Sequence, residues 1–159
     1  MPPATSRRAT PARGVWLFAG TGAMAIIVAG ALSAALAHAP TRAAMWLTAY
    51  LVLVVGVAQS GLGVGQARLA TRPPTAALLG SQWLLFNGAN ALVVAGRLLG
   101  RPAAVVLGAV VLAAALALFL RGVRGTGGWL LWVYRLLVAL LACSALVGVG
   151  LSLFTAQST

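Results

Sequence analysis

The sequence predicts an all-α integral membrane protein: a five-helix transmembrane bundle with its N-terminus in the cytoplasm and its C-terminus outside. Three observations carry that expectation. Of 159 residues, 62% are hydrophobic and 7% are charged, where a soluble domain carries about a quarter charged residues. The apolar residues fall in long blocks, each near the roughly 20 residues a helix needs to cross the hydrocarbon. Lys+Arg number 11 and Asp+Glu 0, and the arginines sit between the blocks, where lipid headgroups lie.

The elements follow in order. Residues 1–14 form a polar tail containing Pro and Arg, expected to be disordered and cytoplasmic. Helices are expected at about 15–37, 43–65, 76–95, 103–120 and 129–154, with 155–159 a short outer tail. Trp46 and Tyr50 near the start of the second helix match the interfacial preference of large aromatics. Pro73-Pro74 stops the chain after it, because the residue before a proline is driven out of helical geometry. Gly96 to Pro102 separates the third and fourth helices, with Gly ending one and Pro starting the next. The Gly-rich stretch Gly122–Gly128 has no Gly-Lys-Ser/Thr ending and no preceding strand, so it is a turn and not a phosphate loop.

Orientation comes from the arginines. Arg7, Arg8, Arg13, Arg68, Arg72, Arg121 and Arg124 fall on one side, and Arg42, Arg97 and Arg101 on the other. The larger set marks the cytoplasmic face. Ala37-His38-Ala39 has the spacing of a signal-peptidase site. The preceding apolar stretch is longer than a signal peptide's core, however, and Pro40 would become the first mature residue. The first helix is read as an uncleaved anchor.

With no carboxylate side chain, the chain lacks the usual intramembrane proton carriers, the oxygen ligands of divalent cations and the common bases of hydrolases. It is expected not to be an enzyme. Cys143 is the single cysteine, which rules out an internal disulfide or a Cys-based metal cluster. No metal and no cofactor is expected. His38 is the one candidate ligand for a haem or a metal ion, and no second His accompanies it. Nucleic acid is not an expected partner, since the arginines form no continuous basic stripe. The expected partners are anionic lipid headgroups and either another membrane protein or a second copy.

Polar side chains inside the apolar blocks are few. At 100° per residue, Gly56, Gln59, Gly63 and Gln66 fall within roughly 80° of one another on the second helix. Trp83, Asn87, Asn90, Val94 and Arg97 make a second stripe on the third, with Gln82 to one side. An antiparallel hairpin would bring Gln59 and Gln82 to similar depth, forming an amide seam. Such a seam serves either as interhelical glue or as the lining for a small neutral or anionic solute, with Arg97 at its mouth. Ser144, Gly148 and Ser152 form a small-residue ridge on the fifth helix, matched by Gly30 and Ala34 on the first. The fourth helix carries no polar group and is expected to face lipid or a partner.

The stretch from Trp46 through Gln66, with Gly61-Leu62-Gly63-Val64-Gly65-Gln66, and the segment Gln82-Trp83-Leu84-Leu85-Phe86-Asn87 resemble uncharacterised small multi-pass membrane proteins of high-GC bacteria. The resemblance covers about a third of the chain. It implies a membrane location and no activity; the expected location is the bacterial cytoplasmic (inner) membrane.

Taken together, the residues favour a non-enzymatic protein that works by association, as an accessory or assembly subunit of a larger bacterial membrane complex. A small carrier or channel lined by the amide seam is the second reading, and a redox protein using His38 the third. The topology is directly testable. In a Cys143→Ser background, Gln157→Cys is expected to label with an impermeant thiol reagent from outside intact cells; labelling from the cytoplasmic side alone would reverse the orientation.

Overall fold

The computed structural model describes residues 11–123 and 127–157, with side chains over 14–123 and 127–154. Among these residues there are five helices long and apolar enough to span a membrane and no β-strand. They are α1 (Pro11–Ala35), α2 (Arg42–Leu69), α3 (Ala76–Leu98), α4 (Pro102–Gly122) and α5 (Trp129–Gln157). The chain therefore has the architecture of a multi-pass membrane protein. Helical backbone satisfies its own N–H and C=O groups, which hydrocarbon leaves no other way to do in an open chain.

Several ends differ from the expected ones for local reasons. The first helix begins at Pro11, inside the expected tail, because proline is preorganised for a helix's first turn. The remainder of that tail, with Arg7 and Arg8, lies outside the described residues, as do Arg124 and residues 158–159. Thr41 and Thr75 cap α2 and α3, their hydroxyls accepting from the Ala44 and Leu78 amides. Gly96 does not end α3. The helix runs on to Leu98, and Gly100 takes the left-handed conformation at φ 62°. There the Arg101 amide reaches back to the Gly96 carbonyl at 2.8 Å, a glycine-dependent helix stop. Pro102 then opens α4.

Within α2, Leu51–Ala58 forms a π-helix. Such wide turns are rare and displace the carbonyls that would otherwise meet an i+4 amide. The Gly56 carbonyl here accepts from the Ser60 hydroxyl at 2.9 Å, so the irregularity leaves that group satisfied.

Glycine decides which helices touch. A Cβ on Gly22 of α1 would strike the Ser60 hydroxyl and stand 2.6 Å from the Gly56 carbonyl. On Gly56 it would stand 2.5 Å from Ile26, and on Gly63 2.5 Å from the Cβ of Phe18. The chain of contacts Gly22–Gly56 and Phe18–Gly63 lays α1 along α2. A different side of α2 meets α5, where a Cβ on Gly65 would come within 2.5 Å of the Tyr134 ring and one on Gly61 within 3.1 Å of Leu137. The second close pair is α3 with α4, where Gly96 lies against the Val105 backbone and Gly108 against the Ala89 carbonyl.

Helix α4 is thus central, contrary to the expectation that it faces lipid. Leu112, Ala115, Leu116 and Phe119 are buried in the bundle core. Phe119 is the hub: its ring meets Phe18 edge-on at 5.3 Å and Phe86 at 6.4 Å, the tilted geometry that aromatic quadrupoles favour. Helix α5 is the least buried of the five. It packs through Leu131, Tyr134, Val138 and Leu141, with Ala142 and Ala145 half-buried beyond them and Leu146, Val147 and Leu151 turned outward.

The bundle is therefore closed around the start of α1 and splayed at the end of α5. A measurable consequence concerns Gly22. Gly22→Leu is expected to destabilise the protein in detergent by about 1–3 kcal/mol through overpacking, while Gly30→Leu, whose added Cβ meets nothing within 4 Å, leaves the thermal midpoint unchanged.

Candidate functional site

Gln59, Gln66, Gln82 and Asn90 are buried, Asn87 is half-buried and Arg97 exposed, and they do not form one seam. Gln59, Gln66 and Gln82 are each at most 1% exposed and Asn90 is 3% exposed. The Gln59 amide donates to the Thr21 hydroxyl at 2.6 Å, and Thr21 donates in turn to the Leu17 carbonyl at 2.8 Å. Gln59 thus pairs with α1 and not with Gln82, because the close helix neighbour of α2 is α1. Gln66 abuts Gly122 at the end of α4, where an added Cβ would collide with its amide nitrogen. Gln82 has no hydrogen-bond partner at either end of its amide.

The third helix satisfies its asparagines locally. Asn87 donates to the Trp83 carbonyl at 2.9 Å, and Asn90 to the Phe86 carbonyl at 2.7 Å. The one direct hydrogen bond from the second helix to the third is made elsewhere: the Tyr50 hydroxyl donates to the Asn90 Oδ1 at 2.6 Å. Tyr50 also stacks on Trp46, ring centroids 5.1 Å apart. The residue expected to sit at the interface is the one that reaches inward.

Trp46 and Tyr50 form one wall of a groove. The others are Val54, Val93 of α3, Val105, Ala109 and Leu112 of α4, and Leu141, Ser144, Ala145 and Gly148 of α5; the cavity measures about 110 Å³. None of the five amides lines it. The ridge Ser144–Gly148 borders this groove and does not dock on α1: Gly30 and Ala34 are exposed, and a Cβ on Gly30 or Gly148 would meet nothing within 4 Å. Ser152 bonds the Val149 carbonyl of its own helix at 2.9 Å.

Arg42, Arg97 and His38 lie at helix ends. Arg97 is exposed and shares a depression of about 260 Å³ with Arg42, Ala43, Trp46 and Leu98. His38 is exposed in the turn after α1, and the described residues contain no group of three His, Cys, Asp or Glu able to hold a metal ion. Cys143 is exposed on α5. Arg135 lies over the Trp132 ring at 5.7 Å from its centroid, a cation–π contact.

A further stripe runs down α3 on the side away from the bundle. Ala77, Ser81, Leu84, Gly88, Ala91 and Ala95 are all exposed. They recur at alternating spacings of four and three, the period of a helix–helix seam. All but Leu84 are small, and a Cβ on Gly88 or on neighbouring Gly80 would meet nothing within 4 Å. The Ser81 hydroxyl bonds the Ala77 carbonyl at 2.9 Å, so it asks for no partner. This spacing is legible in the residues beside the more conspicuous amides, of which Asn87 borders the stripe next to Ala91 and Asn90 lies across the helix.

Comparison with family models, with curated proteins and with solved structures finds no match to this chain. What its fold and sites define is a class, the polytopic α-helical membrane proteins. Among the described residues the chain supplies five candidate spans with arginine at helix ends, and it carries no acidic side chain.

The hydrogen-bonding differences predict opposite responses to apolar substitution. Tyr50→Phe is expected to lose roughly 0.6–2 kcal/mol. Gln82→Leu, which removes an unpartnered buried amide, is expected to raise stability by about 1–3 kcal/mol. Unfolding in mixed micelles by denaturing detergent measures both, and a large loss for Gln82→Leu would contradict the unpaired state of its amide.

Proposed function

We propose that the chain is a non-enzymatic membrane protein that works by association, as an accessory or assembly subunit of a larger complex in the bacterial cytoplasmic membrane. The observation that carries this reading is the outward stripe of α3. Lipid-facing helix surfaces are free to carry bulk, as that of α5 does with Trp132, Leu136, Leu140, Val147 and Leu151 exposed. A surface of Ala, Ser and Gly gains little from acyl chains, and it lets another backbone approach closely. Four-three spacing suits a partner helix crossing at about 20°.

The lack of any carboxylate side chain supports the non-enzymatic part of the reading. The arginine distribution supports a cytoplasmic N-terminus and an external C-terminus. The partner is a helix of another membrane protein, and a second copy of the chain is the competing outcome. The resemblance to small multi-pass proteins of high-GC bacteria agrees with this placement.

Purification in gentle detergent, followed by mass spectrometry of the accompanying chains, tests the proposal. A reproducible partner is expected, and the double variant Gly88→Leu with Ala91→Leu is expected to lose it. Val110→Leu, on an exposed position of α4, serves as the control and retains it. A monomer recovered alone from the native membrane overturns the reading.

A further inference from the structure

We infer that the end of the bundle carrying Arg42 and Arg97 holds one anionic phospholipid, its phosphate between the two guanidinium groups and part of one acyl chain in the adjoining groove. The inference uses residues separate from the α3 stripe, and it holds whether or not that stripe finds a partner.

Three features converge on it. Arg42 opens α2 and Arg97 lies in the last turn of α3, yet both line a single depression. Two like charges in one concavity repel each other unless an anion sits between them. No Asp or Glu exists in the chain to supply it. A counterion from the membrane meets that need, since at the end of a membrane span the abundant anion is a lipid phosphate. Guanidinium is well matched to it, because its planar fork meets phosphate oxygens in pairs.

The second feature is continuity. Trp46 lines both the arginine depression and the groove beside it. Below Trp46 the groove wall is Val54, Val93, Val105, Leu112 and Leu141, with the Tyr50 hydroxyl already committed to Asn90. That surface offers an acyl chain apolar contact and asks for no polar group. Its volume of about 110 Å³ is several times the ~10–15 Å³ that one water needs on the same measure, so it takes a short length of chain, the rest running along the bundle surface. The third feature is the open side. Ser144 and Gly148 leave the groove accessible from the bilayer, so a lipid enters laterally without unfolding anything.

Native mass spectrometry of the full chain, released from vesicles of phosphatidylglycerol and phosphatidylcholine with identical acyl chains, tests this. One retained phosphatidylglycerol is expected, in preference to phosphatidylcholine. Arg42→Gln with Arg97→Gln is expected to weaken that preference roughly tenfold or more, from about 1 kcal/mol per arginine near an anionic surface. Arg68→Gln with Arg72→Gln, at the opposite helix ends, leaves it unchanged. Gly148→Leu, which fills the groove from an open position, is expected to reduce retention while the arginines remain. Equal retention of the two lipids, or an equal effect of the two arginine pairs, overturns the site. Displacement by inorganic phosphate alone, with Gly148→Leu silent, would show a free-anion site and sink the lipid.

Discussion

Apolar side chains surrounded by hydrocarbon gain nothing by leaving it for one another, so helices in a bilayer pair only where backbones come close or polar groups meet. The contact of Gly22 with Gly56 is where this chain meets that requirement most fully. It lets α1 lie on α2 closely enough for Gln59 to reach Thr21, and for Phe18 to cover Gly63. Phe18 then extends to Phe119, and through Phe119 the α3–α4 pair is tied to the α1–α2 pair. Lose the approach at Gly22 and the aromatic hub has no route to α1. The π-helical stretch of α2 belongs to the same contact, since Gly56 lies within it and Ser60, one turn on, both satisfies the Gly56 carbonyl and borders Gly22.

Glycine is distributed unequally along the bundle, and the shape follows. Gly61, Gly63 and Gly65 face α1 and α5 around the aromatic hub, so three helices close there. Towards the other end α3 and α4 stay together through Gly96 and Gly108, while α5 has Gly148 and Gly150 with nothing opposite. A glycine without a facing backbone gives a helix no reason to approach. The groove among α2, α3, α4 and α5 is the direct result, and Tyr50 on its wall reaches Asn90 of α3.

The spans were legible because hydropathy depends only on composition over a window, and the face of α2 was legible because Gln59, Gly63 and Gln66 keep helical spacing. All three are buried. The identity of the face opposite was not legible. Sequence adjacency suggested α3, whereas the deciding residue was Gly22, a glycine in an apolar helix where nothing local marks it out. Helix α4 misled for a related reason. Its lack of polar groups resembles a lipid-facing surface, but Gly108 and Val105 hold it to α3, and the buried Leu112, Leu116 and Phe119 place it in the middle. Helix ends shifted by a few residues wherever a cap, such as Gly100, sat beyond the expected stop. The α3 stripe was present in the spacing, hidden by the more conspicuous amides of Asn87 beside it and Asn90 across the helix.

The absence of acids acquires its meaning from this arrangement. In an isolated chain, arginines at helix ends could each face water and be left alone. Here the pairing of α3 with α4 and of α1 with α2 fixes where the ends of α2 and α3 emerge, and they emerge side by side, so Arg42 and Arg97 share one concavity. A bundle packed through glycine has little freedom to move those ends apart, because each helix is held by backbone contact and not by adaptable side chains. The repulsion is then relieved by an external anion more readily than by a change of fold. Charge that the sequence leaves unbalanced becomes, through the packing, a demand placed on the surrounding membrane.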